Sequence, residues 1–489
     1  MTETLSASIA VRAVAMSLGA KLLGKSGRLA ALVVEQAGNS WLAGARGAAE
    51  MARFFAYSHW AFHEASVGPA LDAGLLVHAE AQKTLVAALR GEITVHELAA
   101  TSAERIIAAS RYERLVHRWG RDLFGSARFA GETQIGEDEH FRLSYLPPAH
   151  GTDTGVAMFH SGGVIPFGDL LFRLTQESNF FQPFLQAGVG VYAMELRGDR
   201  EAARRGRLTM ARLVTAIETL SSVALRHHRE RHSTKLILEG YCGHGTQALA
   251  YVAARPRHAD NTFSTLALFV APVDGQKCDA LATAVRATPA ALRNLQLGWS
   301  NMWSGAIRGA VSELGLDLAL RSVFQKTAMG YAVTGYTRRE WANVRSAAEL
   351  SPAQRRELAG AYWMSVANAR RYPVPVDIVR FTNPLFSPGI GPDGDLGFSI
   401  DGRRLTLGSL ASETNLRVVG FYGDRDPVVS EKTAHVLSKL LGDRYRHVVH
   451  ADAGHVAYVL SPRLWDRTNA GGFRPNPVDV LLSMASNAG

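Results

Sequence analysis

Three side chains in this 489-residue chain have the types and the order that suit nucleophilic chemistry: Cys242, Asp426 and His455. Cys242 lies in Gly240-Tyr241-Cys242-Gly243-His244-Gly245, between the apolar run Leu236-Ile237-Leu238 and the helix-like Gln247-Ala248-Leu249-Ala250. A strand, a tight turn and a helix would hold the sulfur in front of a helix N-terminus, which favours the thiolate. Such a turn needs small residues two before and two after the nucleophile, because the two backbones pass close together there. Gly240 fills the first small position. His244 fills the second, with Gly245 behind it, so the turn is expected to open slightly to admit an imidazole. Taken alone, Cys242 reads equally well as a buried core thiol at a strand end.

A thiol nucleophile needs a base, and the base needs an orienting acid. Gly454-His455 follows the predicted strand Tyr445-Arg446-His447-Val448-Val449. Gly423-Asp424-Arg425-Asp426-Pro427-Val428-Val429 follows the predicted strand Leu416 to Tyr422. Nucleophile, acid and His therefore come in the chain order that α/β-hydrolases use. His455 is expected to take the proton of Cys242, and Asp426 to hold its tautomer and charge. Asp424 and His450 are the alternatives. The Gly243 N–H, just after the nucleophile, suits one arm of an oxyanion hole. The second arm is expected from Ser161-Gly162-Gly163, with Gly162 as the donor. His160 and His244 read as structural residues or as further polar groups near the thiol.

These residues need a sheet to carry them. Val156 to His160, Val189 to Met194, Lys235 to Leu238, Thr265 to Val270 and Leu416 to Tyr422 are short apolar runs. They alternate with helical patterns at 167–186, 208–228 and 430–441. That alternation predicts an α/β fold, a mostly parallel doubly wound sheet, with His140 to Leu146 as a further strand. Residues 1–128 read as an N-terminal helical region, 129–278 as the first part of the core, 279–397 as a helical cap insertion and 398–489 as the second part of the core. The insertion, with Trp299, Trp303, Trp341 and Trp363, would cover the site or thicken the core. Residues 381–397, rich in Pro and Gly, are expected to form a loop. A basic amphipathic helix over 5–34 and the aromatic stripe Phe54 to Phe62 suit a homodimer interface, the protein's own core, or a membrane or granule surface.

Composition narrows the field. The chain is 47% apolar and 20% charged, as in ordinary globular proteins. Its two cysteines, Cys242 and Cys278, exclude a disulfide framework and fit a reducing, cytoplasmic setting. No metal-site spacing and no nucleic-acid-binding signature occurs. No apolar stretch is long enough to span a bilayer, and the N-terminus lacks the pattern of a secretory signal. The net charge of +9 gathers partly in Arg204, Arg205 and Arg207 and in Arg226 to His232. Those clusters suit an anionic partner (a CoA phosphate, an acidic carrier protein or a granule surface) or a solvated helix end.

With these residues assembled, the chain resembles the polyhydroxyalkanoate synthases, Cys-dependent relatives of the α/β-hydrolases. Their Gly-x-Cys-x-Gly-Gly box corresponds to Gly240 to Gly245, with His244 in place of the first closing Gly. Ala271-Pro272-Val273-Asp274, the Phe398 to Gly408 segment, Asp426-Pro427-Val428-Val429 and Gly454-His455-Val456 are similar to other segments of the family. The resemblance spans roughly 140–462. Their Trp-Asn-x-Asp segment is replaced here by Val376-Asp377-Ile378-Val379, and Ser430 follows Val429 where they carry Pro. The resemblance implies a Cys-His-Asp acyltransferase with no tightly bound cofactor. It would take an acyl group from a CoA or phosphopantetheine thioester through an acyl-S-enzyme. A carrier-to-carrier acyl or aminoacyl shuttle, a thioesterase and a non-enzymatic granule scaffold are the competing expectations.

Overall fold

The computed structural model describes residues 45–62, 68–149, 151–162, 169–197, 208–303, 305–307, 333–363, 374–391, 393–464, 466–467 and 471–486. The 5–34 helix, Trp41, Gly163, Arg204, Arg205 and Arg207 lie outside them, as does much of the middle of the insertion.

Eight strands form one sheet: β1 (Thr133–Glu137), β2 (Phe141–Leu146), β3 (Val156–His160), β4 (Val189–Leu196), β5 (Leu236–Tyr241), β6 (Phe263–Phe269), β7 (Arg417–Gly423) and β8 (Tyr445–His450). Their order across the sheet is β1-β2-β4-β3-β5-β6-β7-β8. β1 and β2 are antiparallel to their neighbours, and every other pairing is parallel. This is the α/β-hydrolase fold. The central strands are apolar almost throughout because helices cover both faces of the sheet.

Ten helices of eight residues or more are found among the described residues: α1 (Ala45–Phe62), α2 (Gly68–Leu89), α3 (Val95–Leu115), α4 (Met210–Arg229), α5 (Gly243–Ala254), α6 (Ala280–Ala287), α7 (Ala290–Trp303), α8 (Pro352–Tyr362), α9 (Val376–Phe386) and α10 (Pro477–Ser486). Two apolar cores flank the sheet. Alternate residues of β5 divide between them: Leu236 and Leu238 face α4 and α5, while Ile237 and Tyr241 face α3, α8 and α10.

Several expectations need correction. The single helix expected over 167–186 is not found among its described residues: a 3-10 turn at Asp169–Leu171 and a short helix at Gln182–Gln186 flank irregular chain. That stretch buries Phe172, Phe180, Phe181 and Phe184 against the sheet, a role that needs bulky rings more than helical spacing. Residues 381–386 belong to α9, which tolerates Pro384 near its end, and an antiparallel hairpin, Asp395–Ile400 with Arg403–Thr406, begins at Asp395. The insertion holds a two-residue strand pair, Ala306–Ile307 with Val374–Pro375. Its C-terminal part thickens the core. Trp341 and Trp363 are fully buried, Trp341 lies 5.0 Å from the Tyr112 ring of α3, and Gly120 just beyond α3 is pressed onto the Leu358 carbonyl of α8. Asp377 accepts from the Met210 N–H, tying α9 to the start of α4.

On the N-terminal helices, α2 exposes Leu71, Leu75, Leu76, Leu85 and Leu89. No helix among the described residues is long and apolar enough to cross a membrane.

Candidate active site

The six residues of β5 run from Leu236 to Tyr241, and Cys242 follows at φ 50° and ψ −123°, directly before α5. An L-residue enters this backbone region only under constraint, at a cost of about 1–3 kcal/mol. Here the constraint is the crossing of strand and helix. A Cβ on Gly240 would lie 2.6 Å from the Gly245 Cα, and a Cβ on Gly245 would lie 2.5 Å from the Ala271 Cβ. The second small residue is therefore Gly245, three after the nucleophile, and not position 244. The turn does not open for His244. That side chain leaves the crossing and packs fully buried among aromatic rings, 5.9 Å from Phe172 and 6.0 Å from His160 between ring centroids.

Cys242 is partly exposed, while Cys278 is buried, and burial pushes the Cys278 thiol well above its ordinary range. The Cys242 N–H donates to the Phe269 carbonyl at 2.7 Å, which holds the elbow against β6. Gly243 opens α5, so its N–H is one of those the helix cannot use internally and is available to an oxyanion. Gly162 behaves otherwise. Its N–H donates to the His160 carbonyl at 2.9 Å, so in this conformation it is not free for an oxyanion. What Gly162 provides is close packing: a Cβ there would fall 1.5 Å from the Met194 carbonyl oxygen.

The structure brings the other two expected groups to the sulfur. Asp426 follows β7 and is buried; its Oδ1 accepts the N–H groups of Val428 and Val429 at 2.8 and 2.9 Å. Its Oδ2 accepts from His455 Nδ1 at 2.8 Å. The Cys242 side chain is near enough to act on the same imidazole, and with Nδ1 occupied by Asp426 it is Nε2 that is left for the sulfur. Burial works against charging His455. The Asp426 carboxylate and the Cys242 sulfur outweigh burial and hold the imidazole well above its ordinary range. The loop that carries His455 is pinned by the Tyr241 hydroxyl, which donates to the His455 carbonyl at 2.6 Å. Gly423 lets the acid loop and the His loop touch, since a Cβ there would meet the Ala453 carbonyl at 1.9 Å.

The two alternatives are placed elsewhere. Asp424 is exposed. His450 ends β8, with Nδ1 bonded to the Tyr458 hydroxyl at 2.7 Å and Nε2 to the Pro475 carbonyl at 2.8 Å, and burial lowers its affinity for protons. It is a structural histidine.

Three contributors were not singled out from sequence. Tyr241 and Gly245 sit inside the box, where the sequence shows them only as spacing. Glu239 carried a plainer signal: a carboxylate in an otherwise apolar strand is rarely buried without a partner. It is fully buried, and its partner is His160, which ends the equally apolar β3.

The basic run from Arg226 to His232 closes α4 and its following turn. Arg226 and Arg229 line an open basin of about 790 Å³ with Lys235, His258 and Glu230. Lys235 precedes β5 and Cys242 follows it, so at about 3.3 Å per residue this basin lies on the order of 20 Å from the sulfur, at the opposite end of the sheet. No group of three metal-ligating side chains occurs among the described residues.

No family model matches the sequence. No curated protein matches it. Among solved structures, the chain is similar to a soluble variant of monoglyceride lipase from Saccharomyces cerevisiae in complex with a substrate analog, with 10% identity over 73% of this chain and 94% of that one and a TM-score of 0.42. A membrane phospholipase A, described as a bacterial virulence factor, shows 15% identity over 82% and 98% with a TM-score of 0.39. Carboxylesterase CesB from Bacillus subtilis shows 11% identity over 73% and 94% with a TM-score of 0.38. At such values the likeness carries no argument about chemistry, and the fold assignment rests on strand order and the elbow.

Proposed function

We propose that this chain is an acyltransferase that carries an acyl group on Cys242, taken from a CoA or phosphopantetheine thioester, in the manner of the polyhydroxyalkanoate synthases it resembles. The observation that carries the reading is the strained Cys242 at φ 50°, directly before α5, beside a His455 whose Nδ1 is held by Asp426 and whose Nε2 is left for the sulfur.

In this reading His455 takes the Cys242 proton and the thiolate attacks the thioester carbonyl carbon. The oxygen gains charge facing the Gly243 N–H. Collapse breaks the bond to the donor sulfur, which leaves with the proton from His455. An acceptor then gives a proton to His455 and attacks the acyl-S-enzyme carbonyl; collapse breaks the bond to Cys242, whose sulfur takes that proton back. Asp426 keeps Nε2 as the proton-accepting nitrogen and stabilises the imidazolium that forms within each half-reaction. Exchange between thioesters is nearly isoenergetic, which suits a thiol nucleophile acting as a shuttle.

The test is to incubate the protein with an acyl-CoA and an excess of a small thiol acceptor, and to quantify acylated acceptor against free acid. Transfer that depends on Cys242 and exceeds hydrolysis supports the reading. Predominant release of free acid replaces it with a thioesterase. Rapid loading from an acylated carrier protein but not from acyl-CoA narrows it to a carrier-to-carrier shuttle.

A further inference from the structure

Glu239 stands three residues before Cys242 in a strand whose other residues are apolar, Gly or Tyr, and it is 0% exposed. Burying a carboxylate costs several kcal/mol unless it is well paired, and apolar residues in its place are commonly no less stable. No Lys or Arg is paired with it among the described residues. Its side-chain partner is His160, also 0% exposed, which sits directly opposite on β3 and bonds Glu239 Oε2 through Nδ1. The shell around the pair is aromatic: the His160 ring lies 4.5 Å from Phe172 and 5.2 Å from Phe181 between centroids.

The pair is part of a larger clamp. The carbonyl of the same Glu239 accepts the Ser161 N–H at 2.9 Å and the Ser161 hydroxyl at 2.8 Å. The Gly162 N–H folds back on the His160 carbonyl, and Gly162 is wedged on the Met194 carbonyl. The turn that ends β3 is therefore fixed to β5, the strand that carries the nucleophile. Adjacent strands lie roughly 5 Å apart, so Ser161 and Gly162 run alongside Gly240 and Tyr241, next to the elbow. On its other side the His160 ring approaches His244, in the first turn of α5, at 6.0 Å between centroids.

We infer that Glu239 and His160 are positioning residues for acyl transfer at Cys242: their buried pair holds the β3 turn and the first turn of α5 in fixed places around the sulfur. The inference rests on the acyl-transfer reading above. It accounts for a buried carboxylate–imidazole pair at positions that apolar residues could fill. A displacement of about 1 Å at a reacting centre costs on the order of 100-fold in rate.

The test compares wild type, Glu239→Gln, Glu239→Leu and the double variant Glu239→Leu/His160→Phe, which leaves no unpaired charge should the single Leu variant fail to fold. For each, the melting temperature, the rate of Cys242 alkylation by iodoacetamide and the rate of acyl-S-enzyme formation from an acyl N-acetylcysteamine thioester are measured. Alkylation is a displacement at saturated carbon and develops no oxyanion, so it reads the thiol and its base alone. The Leu variant and the double variant are expected to acylate about 10- to 100-fold more slowly while alkylating within about threefold of wild type. Glu239→Gln, whose amide oxygen still accepts from His160 Nδ1, recovers most of the acylation rate. Acylation by the double variant within about threefold of wild type overturns the inference, as does a parallel fall in alkylation and acylation. If wild type itself takes up no acyl group, the acyl-transfer reading fails and this inference falls with it. If wild type and variants load alike, only the positioning role is lost.

Discussion

Asp426→Asn separates the carboxylate's charge from its structural role. In the native site Oδ1 already takes the Val428 and Val429 N–H groups, at 2.8 and 2.9 Å, and the Asn carbonyl oxygen can keep both. The loop should therefore hold, and the melting temperature should stay within a few degrees of wild type. The amide nitrogen then occupies the place of Oδ2, facing His455 Nδ1, and it donates where the carboxylate accepted. His455 must turn its lone pair to Nδ1 and point Nε2–H at the sulfur, so it can no longer accept the Cys242 proton. A charge-assisted bond to the imidazolium is lost as well, worth about 1.5–3 kcal/mol. At 1.36 kcal/mol per decade that alone is about 10- to 150-fold in rate. The wrong tautomer adds to it, and the total expected loss is about 1,000-fold or more. Single-turnover formation of the acyl-S-enzyme, followed by rapid quench and intact mass, reads this directly. An Asn variant that folds normally and acylates within threefold of wild type would refute the triad.

Two further perturbations follow from the geometry. Gly245→Ala places a Cβ 2.5 Å from that of Ala271 and should cost about 1–3 kcal/mol, slowing acylation along with the loss of melting temperature. His244→Gly, which would restore the family's box, should also destabilise, by about 2–4 kcal/mol, because it empties a buried seat in the aromatic cluster; a gain in melting temperature would show that His244 strains the elbow after all. His228 supplies the pH test. Burial, then His232, lowers its folded pKa to about 4, while the unfolded value stays near 6.5, so its contribution is present above about pH 6.5 and is lost as pH falls toward 4. His228→Asn should lose less melting temperature between pH 7 and pH 4.5 than wild type does, and equal losses in a pH-resolved melt would contradict this assignment.

The parts of the fold legible in sequence were those that local chemistry dictates. The apolar runs Val156 to His160 and Leu236 to Leu238 could be little other than buried strands, and they became β3 and β5. Asp426 and His455 were legible because each follows such a strand by a few residues in a set order. What was hidden depends on neighbours far away in the chain. The stretch 167–186 reads as helical, yet its aromatic residues are held by β3 and β5. β1 was missed because Thr133-Gln134-Ile135-Gly136-Glu137 has little apolar pattern and is exposed along much of its length. Motif spacing places the small residue opposite Gly240 at position 244. Only the actual crossing shows that the backbones meet at Gly245. The small residues Ser161-Gly162-Gly163 after the β3 run point to Gly162 as a donor, but the turn's own hydrogen bond to the His160 carbonyl occupies its N–H.

The central claim is that Cys242 carries an acyl group. Intact-mass measurement of the protein after incubation with an acyl-CoA or an acylated phosphopantetheine carrier, with peptide mapping of the product, tests it most directly. The account predicts the mass of a single acyl group, located on Cys242, absent in Cys242→Ala and removed by hydroxylamine. No added mass from either donor, or equal loading of Cys242→Ala, would contradict it.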